Sequence, residues 1–364
     1  MNTIVVTHGE YFLALIALGL LLSPVVHYLR GGWAAKRKEI LDNFTDNGVK
    51  RYFSLFFPAR LNDGRSLKVA FAHFYDQRFG RQHFVIPCVV FLAVSGFLIF
   101  LVSLVVYGWL RKDSQIGLDM PPVAVAALVG AYAWVLLDLV TKAHLYDIKP
   151  TNLLGASFRL IVAAPLGLAV AALLADEAGV PIALFLGAFP TQTLTTIARR
   201  QVSSRLNLDD SSNHGTARLR SLQAVSRSVE ERFEREGVST ILQLAYFDPI
   251  VLTMRTNFAF SYVVDCCSQA LAWLYFEDKL AEMRGCGLRG AQEIRTLIDE
   301  IDGSEDRPED AKRAVRCLNK AAEVLKMHPK TFEWILREIA EDPYTQFLYE
   351  IWCADMEDDN ENDV

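Results

Sequence analysis

Apolar positions along the chain follow two regimes. Between Tyr11 and Ile197 they gather into long runs with little charge, whereas beyond residue 217 they recur at helical spacing among charged residues. Tyr11–Leu29 carries no charge and is followed by Arg30-Gly-Gly. It lacks a basic start and a small-residue cleavage site, so it reads as a retained anchor and not a signal peptide. Phe84–Leu110 supplies 27 residues without a charge and runs into Trp109 and Arg111 as interface anchors. A third span is predicted over Pro122–Val140. A fourth and a fifth, Phe158–Ala175 and Val180–Ile197, flank a short turn holding Asp176, Glu177 and Gly179, and within them Gly167, Ala171, Gly187 and Pro190 read as close-packing and kink positions.

Five spans place the termini on opposite faces of a bilayer, and the cations choose which. The 30–83 loop carries eleven Lys+Arg against five Asp+Glu, and Arg199-Arg200 follow the last span, while the first ten residues carry no Lys or Arg. Cationic loops stay in the cytoplasm, so the expected topology is a multi-pass protein of the inner (cytoplasmic) membrane, N-terminus outside and C-terminus inside. The Asn43-Phe44-Thr45 sequon is then unused. Domain boundaries follow: 1–29 first span, 30–83 basic cytoplasmic loop, 84–198 four further spans, 199–217 polar linker, 218–328 and 329–354 helical cytoplasmic regions, 355–364 acidic disordered tail. In "GGWAAKRKEILDNF" Trp33, Ile40, Leu41 and Phe44 recur at helical spacing between cations. That pattern suits a helix lying on anionic lipid or a helix packed on the cytoplasmic domain.

The second regime is helical throughout, and the expected class is all-α: polytopic transmembrane helices followed by a helical cytoplasmic domain. "FAFSYVVDCCSQALAWLYFEDKLAEM" is apolar enough to raise a sixth span, but Asp265 and Gln269 interrupt it, which favours a buried core helix. Its Tyr262, Trp273, Tyr275 and Phe276 are the alternative, a partner surface.

Two stretches of this region, "LQAVSRSVEERFEREGVSTILQLAYFDP" (222–249) and "MRGCGLRGAQEIRTLIDEI" (283–301), resemble a tandem helix-hairpin-helix domain over roughly a quarter of the chain. The resemblance implies that Gly285-Cys286-Gly287 forms a turn whose backbone N–H groups meet a phosphate, flanked by Arg284 and Arg289. In the first copy Ala224 and Ser226 stand at the glycine positions, which adds bulk where the phosphate would sit and leaves Ser226 as a helix cap. Charge counts against DNA: residues 199–364 carry 21 Lys+Arg against 31 Asp+Glu.

Composition changes little else. Apolar residues make up 52% of the chain, toward the membrane class. Six scattered cysteines include no C-x-x-C pair, and adjacent Cys266 and Cys267 read as small core hydrophobes. No phosphate loop, H-E-x-x-H, G-x-S-x-G or dinucleotide fingerprint is present, so no enzyme, cofactor or metal site is expected. The pairs Glu230/Glu231 and Asp299/Glu300 read as solvated faces. Asp138 and Arg159 lie near the cytoplasmic ends of spans three and four, where snorkelling or an ion pair joining two helices outweighs a transport role. The expected function is a membrane protein whose cytoplasmic module holds a protein partner or self-assembles. The rivals are a membrane-tethered DNA binder and a channel, transporter or membrane effector gated by that module.

Overall fold

The chain leaves one compact unit for another and comes back before its C-terminal region begins. Residues 1–36 and 79–212 form the first unit, and residues 37–78 and 213–364 the second. The computed structural model describes residues 9–60, 66–111, 120–173, 179–188, 219–303 and 308–351, and all regular structure among them is helical. The expected 199–217 linker, the 355–364 tail and the 189–197 part of the fifth span lie outside the described residues.

The first unit contains α1 (Gly9–His27), α5 (Val85–Arg111), α6 (Pro122–His144), α7 (Pro150–Leu173) and the short apolar α8 (Gly179–Ala188). Four helical stretches, carried by α1, α5, α6 and α7, are long and apolar enough to cross a membrane by length and composition. Their sequences are apolar all round, so one side packs inward and the rest stays uncovered. Leu21, Phe91, Val135, Leu139 and Leu153 are buried together, while Phe12, Ile86, Phe97, Leu137 and Phe158 point out. Small residues set the closest approach. A Cβ on Gly130 would lie 2.1 Å from the Leu184 carbonyl, and one on Gly187 would lie 2.1 Å from the Ala127 carbonyl, so the backbones of α6 and α8 touch. A Cβ on Gly167 of α7 would lie 2.7 Å from the Ala124 Cα of α6. Close packing at Gly167 and Gly187 was legible in the sequence.

The second unit draws α2 (Trp33–Asp42, from Arg37 onward), α3 (Asp46–Phe56) and α4 (Leu67–Phe79) from the chain between the first two long apolar runs. To these it adds α9 (Arg227–Arg235), α10 (Ile241–Ala245), α11 (Pro249–Thr256), α12 (Phe260–Phe276), α13 (Leu280–Met283), α14 (Ala291–Asp302), α15 (Pro308–Val324), α16 (Pro329–Glu341) and helical residues 343–351. Within the 30–83 stretch, residues 37–78 supply core to the C-terminal region, as the packed-helix alternative for its first helix expects. Thr45 caps α3 by accepting from the Gly48 N–H, and that start turns Val49, Tyr52 and Phe53 inward. Phe44 meets the rings of Phe71 at 4.7 Å, Phe260 at 5.7 Å and Phe347 at 6.3 Å. Polar bonds accompany the rings. Tyr52 donates its hydroxyl to Asp248 at 3.0 Å, and the Phe260 N–H donates to Glu39 at 2.9 Å.

Burial of Ile40 and Phe44 in this core also decides the role of α2, whose apolar side packs on protein. The seventeen-residue α12 is the buried centre of the unit, with Val263, Val264, Cys266, Cys267, Ala270 and Leu271 covered. That agrees with a core helix.

Candidate functional site

Two turns of the second unit share one design, and the residues expected to meet phosphate lie in one of them. After α9 the chain reverses at Gly237 (φ +88°); the N–H of Gly237 donates to the Glu234 carbonyl at 3.1 Å and that of Val238 to the Phe233 carbonyl at 3.0 Å. After α13 the chain reverses at Gly287 (φ +86°); its N–H reaches Arg284 at 3.0 Å and that of Leu288 reaches Met283 at 3.2 Å. This is the helix-ending pattern in which a left-handed residue lets two N–H groups satisfy the last carbonyls. The next residue, Val238 or Leu288, is buried in both, and the following helix is capped three residues after the glycine. Thr240 and Gln243 form a complete capping box. At the second turn Glu293 returns the bond to the Gly290 N–H at 3.0 Å, glycine having no side chain to supply the other half.

The internal correspondence therefore pairs Gly237 with Gly287. The Ala224-Val225-Ser226 stretch, expected to match Gly285-Cys286-Gly287, makes a related turn: Ala224 is left-handed (φ +64°) and Ser226 caps α9, but the cap comes two residues after the left-handed one and not three. Gly285 is not left-handed, and a Cβ there would meet nothing within 4 Å. The glycine under steric demand is Gly290, where a Cβ would lie 2.5 Å from the Ser268 hydroxyl and 3.1 Å from the Gln269 nitrogen of α12.

Electrostatics at the second turn is internal. Arg289 reaches Asp265 at 2.6 Å and Glu293 at 3.4 Å. Arg284 donates to the Ser221 carbonyl at 3.3 Å, and Arg295 pairs with Asp299 at 2.8 Å. At the start of α14 the Gly290 N–H is held by Glu293, and the Gln292 N–H by the Ser268 hydroxyl at 3.1 Å. A phosphate placed there would have to displace a carboxylate already bonded to the same N–H. Burial pushes the Asp265 carboxyl above its usual range, with Arg289 and a bond from Gln269 pulling the other way. Glu230, expected on a solvated face, is buried and bonded to Arg220 at 2.7 Å.

In the first unit, α7 begins at Pro150, eight residues before the predicted start of the fourth span at Phe158, so Arg159 sits well inside the helix and not at its end. Its guanidinium lies 4.0 Å from the centre of the Trp134 ring and donates to the Gly187 carbonyl at 2.7 Å. Asp138, the expected partner of Arg159, accepts from Lys142 at 2.7 Å one turn along its own helix. Trp134 and Gly187 were not legible as partners of Arg159, because aromatic and glycine residues are common in apolar spans.

Burial pushes the Cys266 thiol up to about 12, against a smaller opposing bond from Tyr262, and raises that of Cys267 as well; neither is a thiolate at neutral pH. Among the described residues no group of three or more His, Cys, Asp or Glu is placed to hold a metal ion. No family model, curated protein or solved structure matches the chain.

Proposed function

We propose that this chain is a multi-pass membrane protein whose second unit is a recognition scaffold that holds a protein partner or further copies of itself. The observation that carries the reading is the shared core: Phe44, Tyr52 and Phe71, from between the first two apolar runs, pack with Phe260 and Phe347 from the C-terminal region. Segments that share a core lie on one face of a bilayer. If α5, α6 and α7 each cross, the chain must cross once more between Leu173 and Leu219, and α8 lies in that interval. This gives five crossings with α1, and the eleven cations of the 30–83 stretch favour a cytoplasmic module.

Protein contact is favoured over DNA because Arg284, Arg289 and Arg295 are engaged by the protein's own carbonyls and carboxylates. It is favoured over transport because Arg159 is held by Trp134 and the Gly187 carbonyl, which fits a packing role. The test is a pair of compartment-sensitive reporters in the full chain, one inserted at residues 61–65 and one at the C-terminus. The same cytoplasmic signal at both sites is expected, and opposite signals would overturn the reading.

A further inference from the structure

The α14–α16 part of the second unit carries two surfaces of opposite character. On α15, Lys312, Arg313, Arg316 and Lys320 are exposed on one side. Lys312 reaches Glu309 at 2.9 Å, whereas Arg313, Arg316 and Lys320 pair with no carboxylate among the described residues. Such a face stands out in a unit whose segments, 37–78 and 213–364, hold 34 Asp+Glu against 26 Lys+Arg. Beside it runs an open groove with apolar lining from Ile301, Pro308, Ala311 and Val315, edged by Lys312 and Arg316.

The other surface is aromatic, with Lys330 one turn before its exposed tryptophan and carboxylates beyond it. Trp334 on α16 is 63% exposed, an unusual position for a residue that buries so much apolar area when covered. Glu338 is exposed one turn further along the same helix. Tyr246 at the end of α10 and Tyr275 on α12 are exposed, and the Tyr246 hydroxyl lies 3.5 Å from Asp342. Burial raises the Tyr275 hydroxyl, and the charges of Asp342 and Glu338 raise it further, so the ring stands near both carboxylates.

We infer that these surfaces are the two halves of one contact between copies of the chain, in which Trp334 of one copy enters the α14–α15 groove of another and Glu338 meets Arg316 at its edge. The inference rests on the recognition-scaffold reading and names the partner as a second copy. Three features favour that occupant. An exposed Trp is the side chain best suited to anchor a contact in an apolar groove. Trp334 and Glu338 lie one helical turn apart and Arg316 borders the groove beside Val315, so an apolar contact and a charge contact form together. Every copy carries both halves, and copies anchored in one bilayer present them on the same face.

The test measures the mass of the full chain in nanodiscs or detergent by light scattering, with thermal unfolding recorded for each variant. Wild type is expected to associate. Trp334→Ala should weaken association about 30-fold or more, the range of an interface anchor, with unchanged unfolding because the side chain is exposed. Arg316→Glu and Glu338→Arg should each weaken it, and the double variant, with the pair reversed, should restore it. A monomeric wild type, association indifferent to all three single changes, or single losses that the double variant does not restore would each overturn the inference. None of these outcomes bears on the reporter signals, so failure here is separable from failure of the proposed topology.

Discussion

Replacing Phe44 by alanine should weaken the C-terminal helices even though they begin more than 170 residues later. Phe44 is buried between the rings of Phe71, Phe260 and Phe347. Truncating a buried Phe to Ala costs about 3–5 kcal/mol, from lost transfer energy and the cavity left behind. Against a stability of about 5–15 kcal/mol for a typical domain, that is a large share, equivalent to a change of roughly 100-fold to several thousand-fold in the folded-to-unfolded ratio. Hydrogen exchange on the full-length protein should show faster exchange in α12 and in residues 343–351 as well as in α3 and α4, because all draw on one core. Phe12→Ala, on the uncovered side of α1, should leave those amides unchanged. Accelerated exchange confined to residues 37–78 would refute the shared core.

Three further outcomes follow from individual positions. At the Gly287 turn, Gly290→Ala should destabilise most, since its Cβ meets α12; Gly287→Ala should cost about 1–2 kcal/mol for its left-handed backbone; and Gly285→Ala should be near neutral, all readable by thermal unfolding. Asp248 caps α11 and is raised above its ordinary carboxylate range by burial, opposed by its bonds from Val251 and Tyr52. The folded state therefore holds this proton to higher pH than the unfolded chain does, so the Asp248 contribution to stability falls as pH rises from near 3.8 through the raised value; Asp248→Asn should remove that slope in a pH series of unfolding midpoints. In the first unit, Gly187→Val should separate α6 from α8, because a Cβ there would sit 2.1 Å from a backbone carbonyl that has no flexible end to move, and it should lower the yield of folded protein in detergent.

Much of this architecture was legible before any coordinates. The uncharged runs at Tyr11–Leu29 and Phe84–Leu110 mark membrane-length helices because length and apolarity are local properties. Burial of α12 was legible from Asp265 and Gln269 interrupting its apolar run. The inserted segment was not, because Phe44, Tyr52 and Phe71 look alike whether they face lipid or a core, and their partners Phe260 and Phe347 are remote in sequence. A turn at 285–287 was legible from its two glycines. Gly287 does take the left-handed turn, but the steric demand at Gly290 depends on α12 passing alongside, and engagement of Arg289 depends on Asp265, 24 residues earlier. Arg159 was placed too near a helix end because α7 extends back through Thr151 and Asn152 to Pro150, polar residues that hydropathy excludes from a span.

Residues 37–78 and the C-terminal helices are one folded body, and Arg51 and Gln346 touch across it, with the guanidinium donating to the amide oxygen at 2.5 Å. The most direct measurement puts cysteines at both positions in the full-length protein, bridges them with a reducible thiol-specific crosslinker long enough to replace the two side chains, and cuts the chain at a protease site introduced at 61–65. Fragments that stay joined without reductant and separate with it, in the double variant and not in either single variant, are the predicted result. Fragments that separate regardless of reductant would contradict the account.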